Sequence, residues 1–198
     1  MDEIFSGNRA ELRGTVAAPA RYSHESRGIR FYTFPLETLR LSGAADTVDV
    51  LVRESMLELL PPDRVTVEGE LRSYNNKSGV GNRLILTVLA RELMPGDGED
   101  VDHVTLNGAI CKEPILRMTP MGREICDVIL AVNRRYRRSD YIPVIAWGLQ
   151  ARQTAELPIG ARLLVRGRLQ SRAYTKVIDG TPVPRQAFEV SAADVCPL

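Results

Sequence analysis

Apolar and polar residues alternate along much of this chain. Val104, Leu106, Gly108 and Ile110 alternate with their neighbours, as do Cys126, Val128, Leu130 and Val132, and again Ile142, Val144 and Ala146. A period of two puts successive side chains on opposite faces of an extended strand, so these segments read as β. Turn chemistry separates them: Thr119-Pro120-Met121-Gly122, Asp179-Gly180, and a glycine- and asparagine-rich loop over 75–82. Two short stretches break the alternation and read as helices, Glu54–Leu60 before Pro61-Pro62 and Leu149–Leu157 before Pro158. Proline just past the last turn suits a helix stop.

The pattern occurs twice. Glu11-Leu12-Arg13-Gly14-Thr15-Val16 returns as Thr105-Leu106-Asn107-Gly108-Ala109-Ile110, and Val67-Glu68-Gly69-Glu70-Leu71-Arg72-Ser73 as Val165-Arg166-Gly167-Arg168-Leu169-Gln170-Ser171. A unit of about 95 residues is therefore repeated. Between the copies, Met94-Pro95-Gly96-Asp97-Gly98-Glu99-Asp100 is acidic and turn-rich. The expected organisation is a first domain over 1–94, a linker over 95–101 and a second domain over 102–198. Five strands with one helix between the third and fourth is the OB layout, so the fold class is all-β with short helices, as two tandem OB-fold five-stranded barrels. Gly69 and Gly167 fit barrel corners, where a strand bends tightly.

Composition and charge refine this. The 198 residues are 44% hydrophobic and 26% charged, which suits ordered globular domains of roughly 100 residues each. No apolar run approaches the roughly 18 residues of a membrane span, and the first residues lack a signal peptide's pattern. The three cysteines follow neither metal-ligand spacing nor a disulfide framework, so a reduced, cytoplasmic protein without metal or cofactor is expected. The net charge of +1 hides a division: residues 1–99 hold 12 basic against 15 acidic residues, and residues 100–198 hold 14 against 10. The basic residues are almost all arginine, whose fork grips phosphate and whose plane stacks on bases; base composition of the gene explains such a bias equally well.

In the second repeat, an extended chain from Arg162 to Tyr174 places Leu163, Val165, Gly167, Leu169, Ser171 and Ala173 on a core face. Arg162, Leu164, Arg166, Arg168, Gln170, Arg172 and Tyr174 fall on the other. The preceding strand turns Ile142, Val144 and Ala146 inward and Tyr141, Pro143, Ile145 and Trp147 outward. Tyr141 and Trp147 are then about 20 Å apart, a path of several nucleotides. Rings interleaved with arginine serve a single strand, because each base has a π-face and each linkage a phosphate. Tyr136 sits among Arg134, Arg135, Arg137 and Arg138, a cluster that repels itself unless an anion is near. The bland readings are a core tryptophan, ordinary strand tyrosines and a solvated hairpin tip.

These residues lie in a longer run: Asn107-Gly108, Glu113 to Arg117, Pro120-Met121-Gly122, Leu130 to Asn133, Trp147-Gly148, Gly160, and Arg168 to Arg172. In this order and spacing, residues 103–195 resemble the bacterial single-stranded-DNA-binding protein family, and the doubled unit resembles its two-barrel form. The resemblance implies sequence-independent binding of single-stranded DNA in replication, recombination or repair, in the cytoplasm at the nucleoid. It places stacking at Tyr136, Tyr141, Trp147 and Tyr174. With it, phosphate contact is expected from Arg134, Arg135, Arg137, Arg138, Arg166, Arg168 and Arg172. The family's working unit of four barrels implies a homodimer. The sequence ends at Leu198 without the family's acidic C-terminal tip, so recruitment of replication proteins by that route is not expected.

The first repeat is a diverged copy. Its fourth strand offers Arg64, Thr66, Glu68, Glu70, Arg72 and Tyr74, and its third, Val48 to Arg53, has no aromatic residue. Weaker DNA contact is expected there, from Arg40, Arg72, Tyr74 and Lys77. Catalysis is not expected: His24 and His103 lack reactive neighbours in sequence, and Gly79-Val80-Gly81 lacks the rest of a dinucleotide fingerprint. Two other readings fit an OB barrel, a protein-interaction scaffold and a single-stranded RNA binder.

Overall fold

A computed structural model describes residues 7–76, 82–134 and 138–198. Two compact units are present, one of residues 8–72 and 86–103, the other of residues 1–7, 73–85 and 104–198. Each contains a closed five-stranded barrel.

The second barrel is built from β7 (Val101–Ile110), β9 (Glu124–Asn133), β10 (Ser139–Trp147), β11 (Arg162–Ile178) and β12 (Thr181–Pro197). Antiparallel pairs link β7 to β9, β9 to β10, β11 to β12 and β11 to β7. A short parallel pairing of Val144 with Val190 and Ile145 with Ser191 closes the ring. Inside lie Leu106, Ile110, Leu130, Ile142, Leu163 and Val165, all buried. They are the inward members of the alternating runs, so the period of two has become one face of one core. Helix α1 (Gly148–Ala155) joins the third and fourth barrel strands, where the OB layout puts it. A further short strand, β8 (Ile115–Met118), forms a hairpin with β9.

The first barrel repeats this plan with β1 (Asn8–Val16), β3 (Ile29–Leu39), β4 (Ala45–Arg53), β5 (Arg64–Asn75) and β6 (Leu84–Pro95), plus the hairpin strand β2 (Arg21–Ser26). Its closing parallel pairs are Val50 with Val88 and Leu51 with Leu89. Instead of an α-helix it has one 3-10 stretch, Glu54–Leu59, shorter than expected because Pro61-Pro62 follows at once.

Gly69 and Gly167 do mark corners. A Cβ on Gly167 would collide with the Ser191 carbonyl oxygen, and one on Gly69 with that of Leu89. At Gly167, β11 leaves β7 and its register with β12 shifts. Beyond Ser171 β11 and β12 run on as a two-stranded ribbon, closed by Asp179 (φ 48°) and Gly180 (φ 78°). Positive φ at both central residues is the geometry of a type I′ hairpin turn.

Candidate nucleic-acid interface

The outward surface of β9, β10, β12 and β11 carries most of the residues expected to touch a single strand. Trp147 ends β10, half-buried, and its indole Nε1 donates to Ser191 Oγ at 3.0 Å. That bond holds the ring's edge against β12, and its partial exposure, on the strand face opposite buried Ile142, Val144 and Ala146, keeps it out of the core. Tyr141, at the start of β10, is 52% exposed. Between them Ile145, expected to face outward, is buried. Its strand has neighbours on both sides, with Asp127 of β9 and Ser191 of β12 standing opposite it.

Three carboxylates on this surface each hold an arginine. Arg117 forks onto Asp127, with Nη2 to Oδ1 at 3.0 Å, and that hydrogen bond raises the guanidinium pKa. Arg166 pairs with Asp194 at 3.1 Å. Glu189, nearly buried, accepts from Gln170 Nε2 at 3.3 Å and pairs with Arg172 Nε at 3.5 Å. The Arg172 guanidinium in turn lies 5.8 Å from the centre of the Tyr174 ring, within cation–π range. Arg168 stands opposite Ser191, and among the described residues neither it nor exposed Arg138 enters an ion pair. Ala173 is exposed rather than in a core, because the ribbon beyond Ser171 has two open faces.

Arg134 sits differently. Its Nε donates to Asp140 Oδ2 at 2.5 Å, and its Nη2 donates both to Asp140 Oδ1 and to the Ser73 carbonyl, the latter at 3.1 Å. Asp140 is fully buried and also accepts from the Ser73 amide at 2.6 Å. Arg134 thus clamps the base of the β9–β10 loop. In the first barrel Arg40 forks onto buried Asp46 with both contacts at 2.5 Å. Arg135, Tyr136 and Arg137, and Lys77, lie outside the described residues.

Of the remaining first-repeat candidates, Arg72 meets Glu70, which also binds Arg91 at 3.0 Å. Tyr74 is 50% exposed and belongs to the compact unit of residues 104–198. Sequence reasoning missed Glu189, Ser191 and Asp127. Their signal lay in β12 and in the polar members of β9, but only the parallel β10–β12 pairing brings Ser191 to the strand that carries Trp147.

Among the described residues no group of three or more His, Cys, Asp or Glu could hold a metal ion, and no helix is long and apolar enough to cross a membrane. Burial pushes the thiols of Cys111 and Cys126 up, and a hydrogen bond to Asp194 does the same for Cys196, which favours the neutral thiol over the thiolate.

A closed five-strand ring with its helix after the third strand, present twice, defines a chain of OB-fold barrels. The profile described as Single-strand binding protein family matches residues 101–198. Among similar proteins, the single-stranded DNA-binding protein of Clostridium tetani is 37% identical over 102 residues, covering 48% of this chain and 68% of that one. Single-stranded DNA-binding protein 2 of Clostridium acetobutylicum is 38% identical, over 48% of this chain and 74% of its own. The crystal structure of wild-type single-stranded DNA binding protein from Thermus aquaticus superposes over 96% of this chain and 92% of that one, at a TM-score of 0.77 and 25% identity. The chain belongs to the single-strand binding protein family, in its two-barrel form.

Proposed function

We propose that this protein binds single-stranded DNA without regard to sequence, along the outward face of the second barrel, and that it does no chemistry on it. The observation that carries this reading is Trp147. It is half-buried and tied to Ser191, with Arg168 standing opposite that serine. A ring held at its edge, with an arginine across from the serine that holds it, suits stacking by any base, and stacking tolerates all sequences. Tyr141 and Tyr174 extend the platform, and Tyr136 joins them. Phosphate contact falls first to Arg138 and Arg168, whose charges no carboxylate takes up among the described residues. Arg135 and Arg137 contribute from the same loop, and Arg166 and Arg172 do so through the nitrogens that Asp194 and Glu189 leave open. Arg134 contributes chiefly by holding its loop.

The functional units are the barrels of 1–94 and 102–198, joined through 95–101. Two chains associate to bring four barrels together, and the place of work is the cytoplasm, where replication, recombination and repair expose single strands. Titration of Trp147 fluorescence with poly-dT and poly-U tests the central claim. Quenching is expected, with tighter binding of poly-dT. Trp147→Ala is expected to weaken binding roughly 5- to 150-fold, since stacking on one ring is worth about 1–3 kcal/mol. No salt-sensitive binding at all would turn the reading towards a protein scaffold, and preference for poly-U towards RNA.

A further inference from the structure

Three strands of the first barrel repeat the row that positions Trp147. In the second barrel, Arg117 of β8 stands opposite Ile125 of β9, which stands opposite Trp147 of β10. In the first, His24 of β2 stands opposite Phe31 of β3, which stands opposite Arg53 of β4. Phe31 and Ile125 differ by 94 in number, as do Arg53 and Trp147, and as do the repeat glycines Gly14 and Gly108. The two rows therefore occupy the same place in the same fold, with ring and cation exchanged. The second barrel carries its cation on the hairpin strand and its aromatic on the third barrel strand. The first carries its rings on β2 and β3 and its cation on β4.

The row faces away from the core. Phe34 and Leu36 on β3, and Val50 and Val52 on β4, are buried, so Phe31 and Arg53 belong to the opposite side of their strands. An irregularity between Tyr22 and His24 sends their side chains to opposite faces of β2. Tyr22 packs edge-on against Tyr32 at 5.7 Å, and the Tyr32 hydroxyl donates to Glu54 at 3.3 Å, which ties that pair to the 3-10 stretch. His24 stacks on Phe31, with ring centres 5.1 Å apart and planes 11° from parallel. The imidazole is exposed, Arg53 is exposed, and among the described residues Arg53 enters no ion pair. Neighbouring strands lie about 5 Å apart, so a base on the stacked rings would bring its own phosphate within reach of the guanidinium. Arg21 and Arg27 add positive charge to the same hairpin, while Arg30 is held by Glu25 at 3.8 Å and Glu54 at 3.4 Å.

We propose that His24, Phe31 and Arg53 form a second single-strand station, on the first barrel, with the rings as stacking platform and Arg53 as phosphate contact. The inference rests on the single-strand binding proposed above. A stacked cross-strand pair also steadies a hairpin whether or not DNA is bound, so the test must read contact rather than stability.

The test uses the full chain with Trp147→Phe, which keeps a ring there and removes the chain's one tryptophan, combined with Phe31→Trp as reporter. Poly-dT is titrated while emission is recorded, and anisotropy of a labelled dT oligonucleotide follows binding independently. Quenching that tracks the anisotropy is expected. Emission that ignores poly-dT while anisotropy shows binding overturns the station and leaves the second-barrel interface standing. No binding by the unsubstituted chain in the anisotropy arm removes the single-strand reading itself, and this inference with it. Should the reporter chain not fold, Arg53→Gln, a change at an exposed position, decides the matter. Its salt dependence is expected to be shallower by about 0.7 log units per log unit of salt, the share of one phosphate on a single strand. An unchanged slope overturns the proposal.

Discussion

Glu189 separates two views of how charge works on the interface. Seen as net charge alone, a carboxylate beside the DNA path repels phosphate, and its removal should tighten binding. Its partners suggest the reverse. It holds Gln170 and Arg172, and Arg172 lies over Tyr174. Freeing one long side chain costs about 0.5–1.5 kcal/mol when it must be ordered again on binding. Glu189→Gln is therefore expected to weaken binding of single-stranded DNA roughly 2- to 12-fold. Tighter binding by the variant would show that the acid only repels. Asp140 has a structural counterpart of this role. Removing one member of a buried ion pair costs about 3–5 kcal/mol, and Arg134, 26% exposed, recovers part of that from water. Asp140→Asn is expected to cost at most about 3 kcal/mol in urea unfolding. Asp46→Asn should cost a similar amount, because Arg40 and Asp46 form the same clamp and Arg40 is 22% exposed. A loss confined to one of the two would show that the clamps are not equivalent.

Strands were legible because their alternation is strict wherever one face is buried: Leu163 and Val165 could face only inward. The α1 region was legible from its proline stop. The 3-10 stretch Glu54–Leu59 was not, since local composition favoured a helix and the following prolines cut it short. Nor was the burial of Ile145, or the contact of Ser191 with Trp147. These follow from a parallel pairing between strands more than 40 residues apart, which no local pattern encodes. The row of His24, Phe31 and Arg53 was hidden for a related reason. Looking for rings on the third barrel strand alone found Arg53 there and missed the rings on the strands beside it. The two corner glycines were legible and their necessity can be measured. A methyl group at Gly167 or Gly69 must displace backbone, since the obstacle is a carbonyl oxygen of the adjacent strand. Overpacking of this kind costs about 1–3 kcal/mol, so Gly167→Ala and Gly69→Ala are each expected to lower stability by that amount in urea unfolding. An unperturbed midpoint would mean that the corner relaxes freely.

The chain carries two copies of one barrel, and the copies share their clamps and corners while their outward rows differ. Arg134 with Asp140 and Arg40 with Asp46 preserve the loop base, whereas Trp147 and Arg53 occupy the same position with different chemistry. Within one sequence the same fold thus carries two different outward rows. If both rows touch the same strand, their contributions should combine in a defined way. Trp147 and Phe31 lie on different barrels and share no partner among the described contacts, and independent sites add within about 0.3–0.5 kcal/mol. Trp147→Ala and Phe31→Leu in one full-length chain are therefore expected to weaken binding of poly-dT by the product of their separate effects, to within roughly twofold. Phe31→Leu keeps apolar bulk in the hairpin and removes the ring, so the change reads stacking more than stability. Trp147 is expected to contribute more, because it is tied to Ser191, whereas His24 over Phe31 is exposed and must be ordered when a base arrives. A Phe31→Leu chain that binds as the parent does, with the double variant matching Trp147→Ala alone, would confine the DNA path to the second barrel. A double variant far weaker than the product would instead mean that neither row holds a strand without the other.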